Sequence, residues 1–392
     1  MSRCLKLTIL FCGICFSTSI KAQEFDFGNP QLDKPAEKDV KNDVPLGTFG
    51  GLNLGLLFDV RYMAVGPNVP GTVVHVNELN ITGNIGDNIS ILAEQLLPTS
   101  VLTGIEDQVG DDHGFVYGIF SNIPFLPPGT AFKIGRFRFK WGVDAVLDAP
   151  ANPIYPLTRK NLGFITDRGM ELAGFLGDID YTLGIADGPQ FTEETVMDSS
   201  GKPIGTVNKS AKNNSAPVFL RLSKKLSSSK IGLSYFDGQS WSYANFTDYM
   251  PNTQRRSRHP GGMADRSRLL YRQHGAADYS VKWGKLDLAL EYSQGRDRDP
   301  EMKMDYQTKG YFSRLDYIIK PQKVSLQFQY DQYHDGRPGV KDEKSLSTGV
   351  QLFIHDQAFI RIGYMYNHLG ISAEDFIGVF DDVGFVQFYL PL

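Results

Sequence analysis

KVSLQFQYDQY, Lys323 to Tyr333, sorts by parity. Val324, Leu326, Phe328 and Tyr330 fall on one side of an extended chain. Lys323, Ser325, Gln327, Gln329 and Asp331 fall on the other, because successive strand side chains point to opposite faces. The fold turns on which solvent meets each side. The same beat recurs along the chain: Leu52, Leu54, Leu56, Phe58, Val60 and Tyr62 alternate with Asn53, Gly55, Leu57, Asp59 and Arg61. Ile179, Tyr181, Leu183 and Ile185 alternate with Asp180, Thr182 and Gly184, and Leu286, Leu288, Leu290 and Tyr292 with Asp287, Ala289 and Glu291. A period of two sustained over whole strands marks amphipathic strands, unlike the continuous apolar runs of buried parallel sheets.

The connections alternate in length. Short turns are expected at Ile85–Asn88, Pro124–Gly129, Gly177–Asp178, Leu226–Lys230, Trp283–Lys285, Lys320–Gln322 and His355–Gln357. Between them lie longer polar segments: Pro98–His113, Gly142–Asp167, Gly188–Asn214, Gly238–Leu270, Arg296–Tyr306, His334–Lys344 and Asn367–Asp381. With the brief link Ala64–Gly71, this gives about sixteen strands joined by short turns at one end and long loops at the other, the pattern of a transmembrane antiparallel β-barrel. The even number returns both termini to one side, as closure requires. A soluble sandwich has no such strict alternation of loop length, and a propeller would show an internal repeat that is absent here. The competing reading of the alternation is a large soluble β-protein with one face to its core.

Under the barrel reading, lipid lies on the Val324, Leu326 and Phe328 side and water on the Gln327 and Gln329 side. Mean hydropathy is only -0.24, because half of each strand faces a wet lumen. Tyr62, Trp141, Trp283, Tyr317, Tyr330 and Tyr333 are expected in the interfacial aromatic girdles.

The first residues, MSRCLKLTILFCGICFSTSIKA, have the three parts of a secretory signal: Arg3 and Lys6, an apolar run from Leu7 to Phe16, then Ser17 to Ala22. Cleavage is expected after Ala22. All three cysteines (Cys4, Cys12, Cys15) fall inside this segment, so the mature chain is expected to lack disulfides. Loss of Arg3, Lys6 and Lys21 takes the formal net charge from -4 to -7, which argues against nucleic-acid binding. Residues 23–49 are charged, Pro-containing and aperiodic, and read as a flexible periplasmic leader. Residues 50–392 read as one barrel.

ITGNIGDNISILAEQ (Ile81–Gln95), FKIGRFRFKWGVD (Phe132–Asp144) and ITDRGMELAGFLGDIDYTLGIADGP (Ile165–Pro189) resemble, in order, the first half of the phosphate-selective porin O and P family. Ala216–Gly238 and Tyr279–Asp297 are similar to later parts of it. The resemblance implies a sixteen-stranded outer-membrane porin of a Gram-negative bacterium, commonly trimeric, passing small anions. The family's pore is densely basic, whereas here Arg61, Arg136, Arg138, Lys140, Arg221, Lys282, Arg314 and Arg361 are expected to share the lumen with acids such as Asp59, Glu94, Glu171, Asp278, Asp287, Glu291, Asp316 and Asp331.

RFRFK (Arg136–Lys140) places Arg136, Arg138 and Lys140 on one face and Phe137 and Phe139 on the other. If the aromatics meet lipid, three cations line the pore. The strand leads into Gly142–Asp167, which carries Arg159 and Lys160 and has the length to fold inward; Arg168 follows it. Fixed cations in a narrow passage attract anions. Pairing with Asp144, Asp148, Asp167 and Glu171 would leave little field. The segment Gln254–His274 holds Arg255, Arg256, Arg258, Arg266 and Arg268, a cluster suited to funnelling anions or holding lipopolysaccharide, or simply solvated. The seven histidines show no metal spacing and no nucleophile beside them, so no cofactor, metal or catalytic set is expected. The acidic loops Glu106–Gly114 and Gly295–Glu301 lack a Ca²⁺ ligand register. The sequence thus points to a passive channel for small anionic or neutral solutes. The alternative is a non-conducting barrel that binds a partner through its long loops.

Overall fold

The computed structural model describes residues 48–49, 52–65, 72–86, 88–97, 115–143, 166–188, 191–197, 203–210, 216–243, 264–300, 303–334, 336, 342–355, 358–368 and 382–391. The expected signal segment and most of the expected leader lie outside them. The regular elements are all strands: β1 (Thr48–Phe49), β2 (Leu52–Val65), β3 (Thr72–Ile85), β4 (Ile89–Leu97), β5 (Phe115–Ser121), β6 (Ala131–Arg138), β7 (Thr166–Leu176), β8 (Ile179–Ala186), β9 (Phe191–Met197), β10 (Pro203–Ser210), β11 (Val218–Leu226), β12 (Ser229–Tyr243), β13 (Ala264–Trp283), β14 (Leu286–Asp299), β15 (Met304–Lys320), β16 (Val324–His334), β17 (Glu343–Phe353), β18 (Phe359–His368) and β19 (Asp382–Pro391).

Sixteen of these make one antiparallel ring. β2 to β8 pair in succession, β8 pairs with β11, β11 to β19 pair in succession, and β19 pairs back onto β2 through Val383↔Val65 to Pro391↔Leu57. Closure leaves no strand edge with unpaired N–H and C=O groups, which is what allows strands to stand in hydrocarbon. β1 pairs with the start of β2, and β9 and β10 form a separate hairpin.

All seven short turns fall where expected, at one end of the ring. The long segments are partly corrected. Arg296–Tyr306 is mostly strand, since β14 runs to Asp299 and β15 starts at Met304. Gly188–Asn214 contains the β9–β10 hairpin, and Gly238–Leu270 is shortened from both sides because β12 reaches Tyr243 and β13 starts at Ala264. Polar composition misleads here because a barrel wall goes on pairing after its outer face has left the hydrocarbon, where polar side chains cost nothing.

On β16, Ser325, Gln327, Gln329 and Asp331 are buried inside the ring, Gln329 and Asp331 to 1% exposure, while Phe328 is 44% exposed outside. On β14, Leu290 and Tyr292 point out, and Asp287, Ala289, Glu291, Ser293 and Asp297 lie on the opposite, inner face. The apolar surface therefore faces outward and the polar one inward, the reverse of a soluble β-protein. The tyrosines mark one boundary of the apolar band. The hydroxyls of Tyr235, Tyr292 and Tyr330 each bond the polar side chain two residues further toward the long loops: Asp237, Gln294 and Gln332. An amphipathic ring with its polar tip directed away from the band is the interfacial arrangement. Tyr62, Trp283, Tyr317 and Tyr330 are exposed on the outer wall as expected, but Trp141 and Tyr333 are corrected: both are buried inside the ring.

Candidate lumen constriction

β6 runs in the opposite sense to that expected. Phe137 and Phe139 are buried inside the ring at 1% exposure each, Ile134 is exposed outside, and Arg136 shares the outer face with Ile134. Read from its first residue, the strand explains this. Ala131, Lys133, Gly135 and Phe137 share one face, and Phe132, Ile134 and Arg136 share the other. Phe132 and Ile134 occupy the outer apolar band, and Arg136 lies beyond it.

The aromatics pack inward because they have a partner there. Phe137 and Phe139 lie 4.7 Å apart, Phe139 stacks on Phe219 of β11 at 4.2 Å, and Phe219 meets Phe236 of β12 at 4.8 Å. Ala186 and Ala276 complete this apolar lining together with Trp141. Gly184 on β8 makes room for it, since a Cβ there would stand 2.8 Å from the Phe139 ring.

Beyond Arg138 the chain leaves the wall and crosses the lumen. The amide of Gly142 donates to Ser234 Oγ of β12 at 3.1 Å, and the amide of Val143 donates to Glu291 Oε2 of β14 at 2.9 Å. β14 stands six places round the ring from β6, so residues 139–143 form a chord across the interior. Gly142 has φ +57°, and a Cβ on it would collide with the Glu291 carboxylate, so glycine is required there. The start of the segment expected to fold inward does so; residues 144–165, with Arg159 and Lys160, lie outside the described residues.

Charges surround this chord. Lys133 pairs with Glu171 at 2.9 Å and stands over the Phe137 ring at 4.5 Å. Arg221 holds Asp278 through two bonds of 2.7 and 2.9 Å and also donates to Ser234. Half-buried Lys140 interacts electrostatically with Glu171, Lys133, Lys230 and Arg221. Further round, Arg272 and His274 converge on Asp297, and Arg314 pairs with Asp316 at 2.8 Å. Arg361 donates to Gln351 at 2.6 Å and lies 4.9 Å from the Phe359 ring. Such an interior can narrow a passage and bias which ion enters it, with much of the field closed by local pairs. Among the described residues no His, Cys, Asp and Glu group could hold a metal.

The structure thus brings Lys140 and Arg221 together at the chord and places Arg314 and Arg361 elsewhere inside the ring. Arg136 and Arg168 stand outside: Arg168 is exposed on the Met170 face and pairs with Asp187. Arg138 ends β6, and Arg266 and Arg268 belong to β13, which corrects their expected loop position; their side chains are not described. Arg255, Arg256 and Arg258 lie outside the described residues. Missed from the sequence were Lys133, Lys230, Ser234, Phe219 and Phe236. Lys133 was legible from strand parity; the others depend on which strands the chord reaches.

No protein-family model and no curated protein matches the chain. Solved structures do. An anion-selective porin from Comamonas acidovorans is similar with 12% identity and a TM-score of 0.54, over 87% of this chain and 98% of that one. OmpT of Vibrio cholerae in its trimer form has 9% identity and a TM-score of 0.53, over 86% and 99%. The outer-membrane channel DcaP of Acinetobacter baumannii has 9% identity and a TM-score of 0.53, over 88% and 99%. The ring of sixteen strands is therefore an architecture that this chain shares with known outer-membrane porins.

Proposed function

We propose that the chain is a porin of the Gram-negative outer membrane, a passive channel for small hydrophilic solutes with a weak preference for anions. The observation that carries this is the chord Phe139–Val143, clamped to Ser234 and Glu291 inside a closed, polar-lined ring. Ring size sets the outer limit of the passage, and the chord narrows it. The anion preference is supported by Lys133, Lys140, Arg221 and Lys230 gathered there, and it is weak because Glu171, Asp278, Asp180 and Glu291 stand among them. The similarity to an anion-selective porin and the resemblance to the phosphate-selective porin O and P family make phosphate the solute to test first. The Vibrio cholerae relative supports a homotrimer as the assembly, and the Arg255, Arg256 and Arg258 cluster is proposed as a funnel at the mouth.

Purified protein in a planar bilayer under a salt gradient tests both levels. Stepwise conductance with an anion-favouring reversal potential is expected, and Lys140→Glu should move that potential toward cations. Absence of conductance removes the channel; a cation-favouring potential in the unmodified protein removes the anion preference alone.

A further inference from the structure

We propose that the outer wall of β14 to β17, just beyond the tyrosine row, binds phosphate groups of lipid headgroups in the leaflet on the long-loop side. The depth of this surface follows from Tyr292 and Tyr330, whose hydroxyls reach Gln294 and Gln332 at the edge of the apolar band. The next outward positions on β14 are Arg296 and Arg298, both exposed and both bonded to the single carboxylate of Asp305 on β15. Two guanidinium groups on one acid leave a net positive charge. Lys309 on β15 stands opposite Gln294 and His334, and Lys344 on β17 stands opposite Gln332. Asp342, bonded to Gln332 and His334, is a second acid of the patch, so among the described side chains four cations face two carboxylates.

Neighbouring strands lie about 4.8 Å apart and alternate residues about 7 Å apart, so these cations spread over roughly 15 Å of wall. That span suits an amphiphile with more than one phosphate. Arginine forks match phosphate oxygens in pairs, and cations at headgroup depth attract anionic lipid. None of these groups faces the lumen. A free anion has no reason to stay on this open surface, whereas a lipid is held there by its own acyl chains beside Leu290, Phe328 and Leu346.

The test uses the detergent-solubilised protein and a variant with Arg296→Gln, Arg298→Gln, Lys309→Gln and Lys344→Gln. Thermal unfolding is followed with added lipopolysaccharide, with phosphatidylcholine at equal concentration, or with inorganic phosphate. Lipopolysaccharide should raise the melting temperature of the parent, the other two should not, and the variant should bind lipopolysaccharide at least about tenfold more weakly. Equal affinity in parent and variant overturns the proposal, as does an equal rise with inorganic phosphate, which would assign the patch to free anions. The inference rests on the barrel spanning a bilayer and not on solute passage. The variant should keep parental conductance, which shows that it is folded; a parent that fails to conduct ends the channel reading and leaves this one standing.

Discussion

β6 and β16 carry the same period of two in opposite senses. On β16 the polar residues Gln327, Gln329 and Asp331 turn inward and Leu326 and Phe328 turn out; toward the long-loop end of β6, Phe137 and Phe139 turn inward and Arg136 turns out. The difference lies in what occupies the lumen beside each strand. β16 lines it with hydrogen-bonded amides and carboxylates, such as Gln329 to Asp331. β6 is the strand from which the chain departs into the lumen, and the departing residues bring their own apolar packing with Phe219 and Phe236. Alternation reveals a strand, but it is symmetric under exchange of the two faces. The sense is fixed by the contents of the lumen.

Two substitutions separate these senses most sharply. Phe139→Ala should destabilise the barrel by about 3–5 kcal/mol, the cost of removing a buried aromatic and leaving a cavity. Equilibrium unfolding in denaturant measures it, and a loss below about 1 kcal/mol would mean that the ring faces lipid. Phe328→Arg should cost about 2–4 kcal/mol in a bilayer, because it sets a cation against hydrocarbon near the middle of the band. If Phe328 instead faced the wet lumen, the change would be nearly neutral.

Most of the wall was legible in the sequence. Strand parity at Leu52–Tyr62, Leu286–Tyr292 and Val324–Tyr330 gave both the elements and their facing, and the seven short turns located one rim. The strand ends toward the long loops were harder. Arg296 and Arg298 read as loop by composition, yet the ladder continues through them because backbone pairing is indifferent to whether the outer side chain meets lipid or water. The constriction was half legible. The length of the segment from Gly142 points to an inward fold, but the chain leaves the wall already after Arg138, and its anchors Ser234 and Glu291 lie 92 and 148 residues away, where only ring closure brings them to it. RFRFK taken alone suggests three cations in the pore. Taken with the preceding AFKIG, it shows the outer face passing from Phe132 and Ile134 to Arg136, as the outer face of β14 passes from Tyr292 to Arg296.

The chord offers a smaller but more specific test. Gly142→Ala forces a side chain into a left-handed backbone and against Glu291, a strain of about 1–3 kcal/mol. Relief comes most easily by releasing the Val143–Glu291 bond, so single-channel conductance should rise while the ring, held by its own ladders, stays closed. An unchanged conductance would show that residues 142–143 do not limit the passage.

The smallest expected effect is at the long-loop end of β16, where His334 and Asp342 meet on the exposed outer face. His334 bonds the Asp342 carboxylate at 2.6 Å and holds it below the usual carboxylate range, with Gln332 assisting at 3.0 Å. A depressed folded value means that the contribution is present above the unfolded carboxylate value of about 4 and is lost as pH falls through the folded one. Both side chains are at least 40% exposed, so screening holds the contribution below about 0.5 kcal/mol. Asp342→Asn should therefore lower stability slightly at pH 7 and not at all near pH 2, as read from paired melting curves. A larger loss at pH 7, approaching that of Phe139→Ala, would mean that this end of β16 is packed as tightly as the end of β6, and the contrast between the two strands would then lie in facing alone.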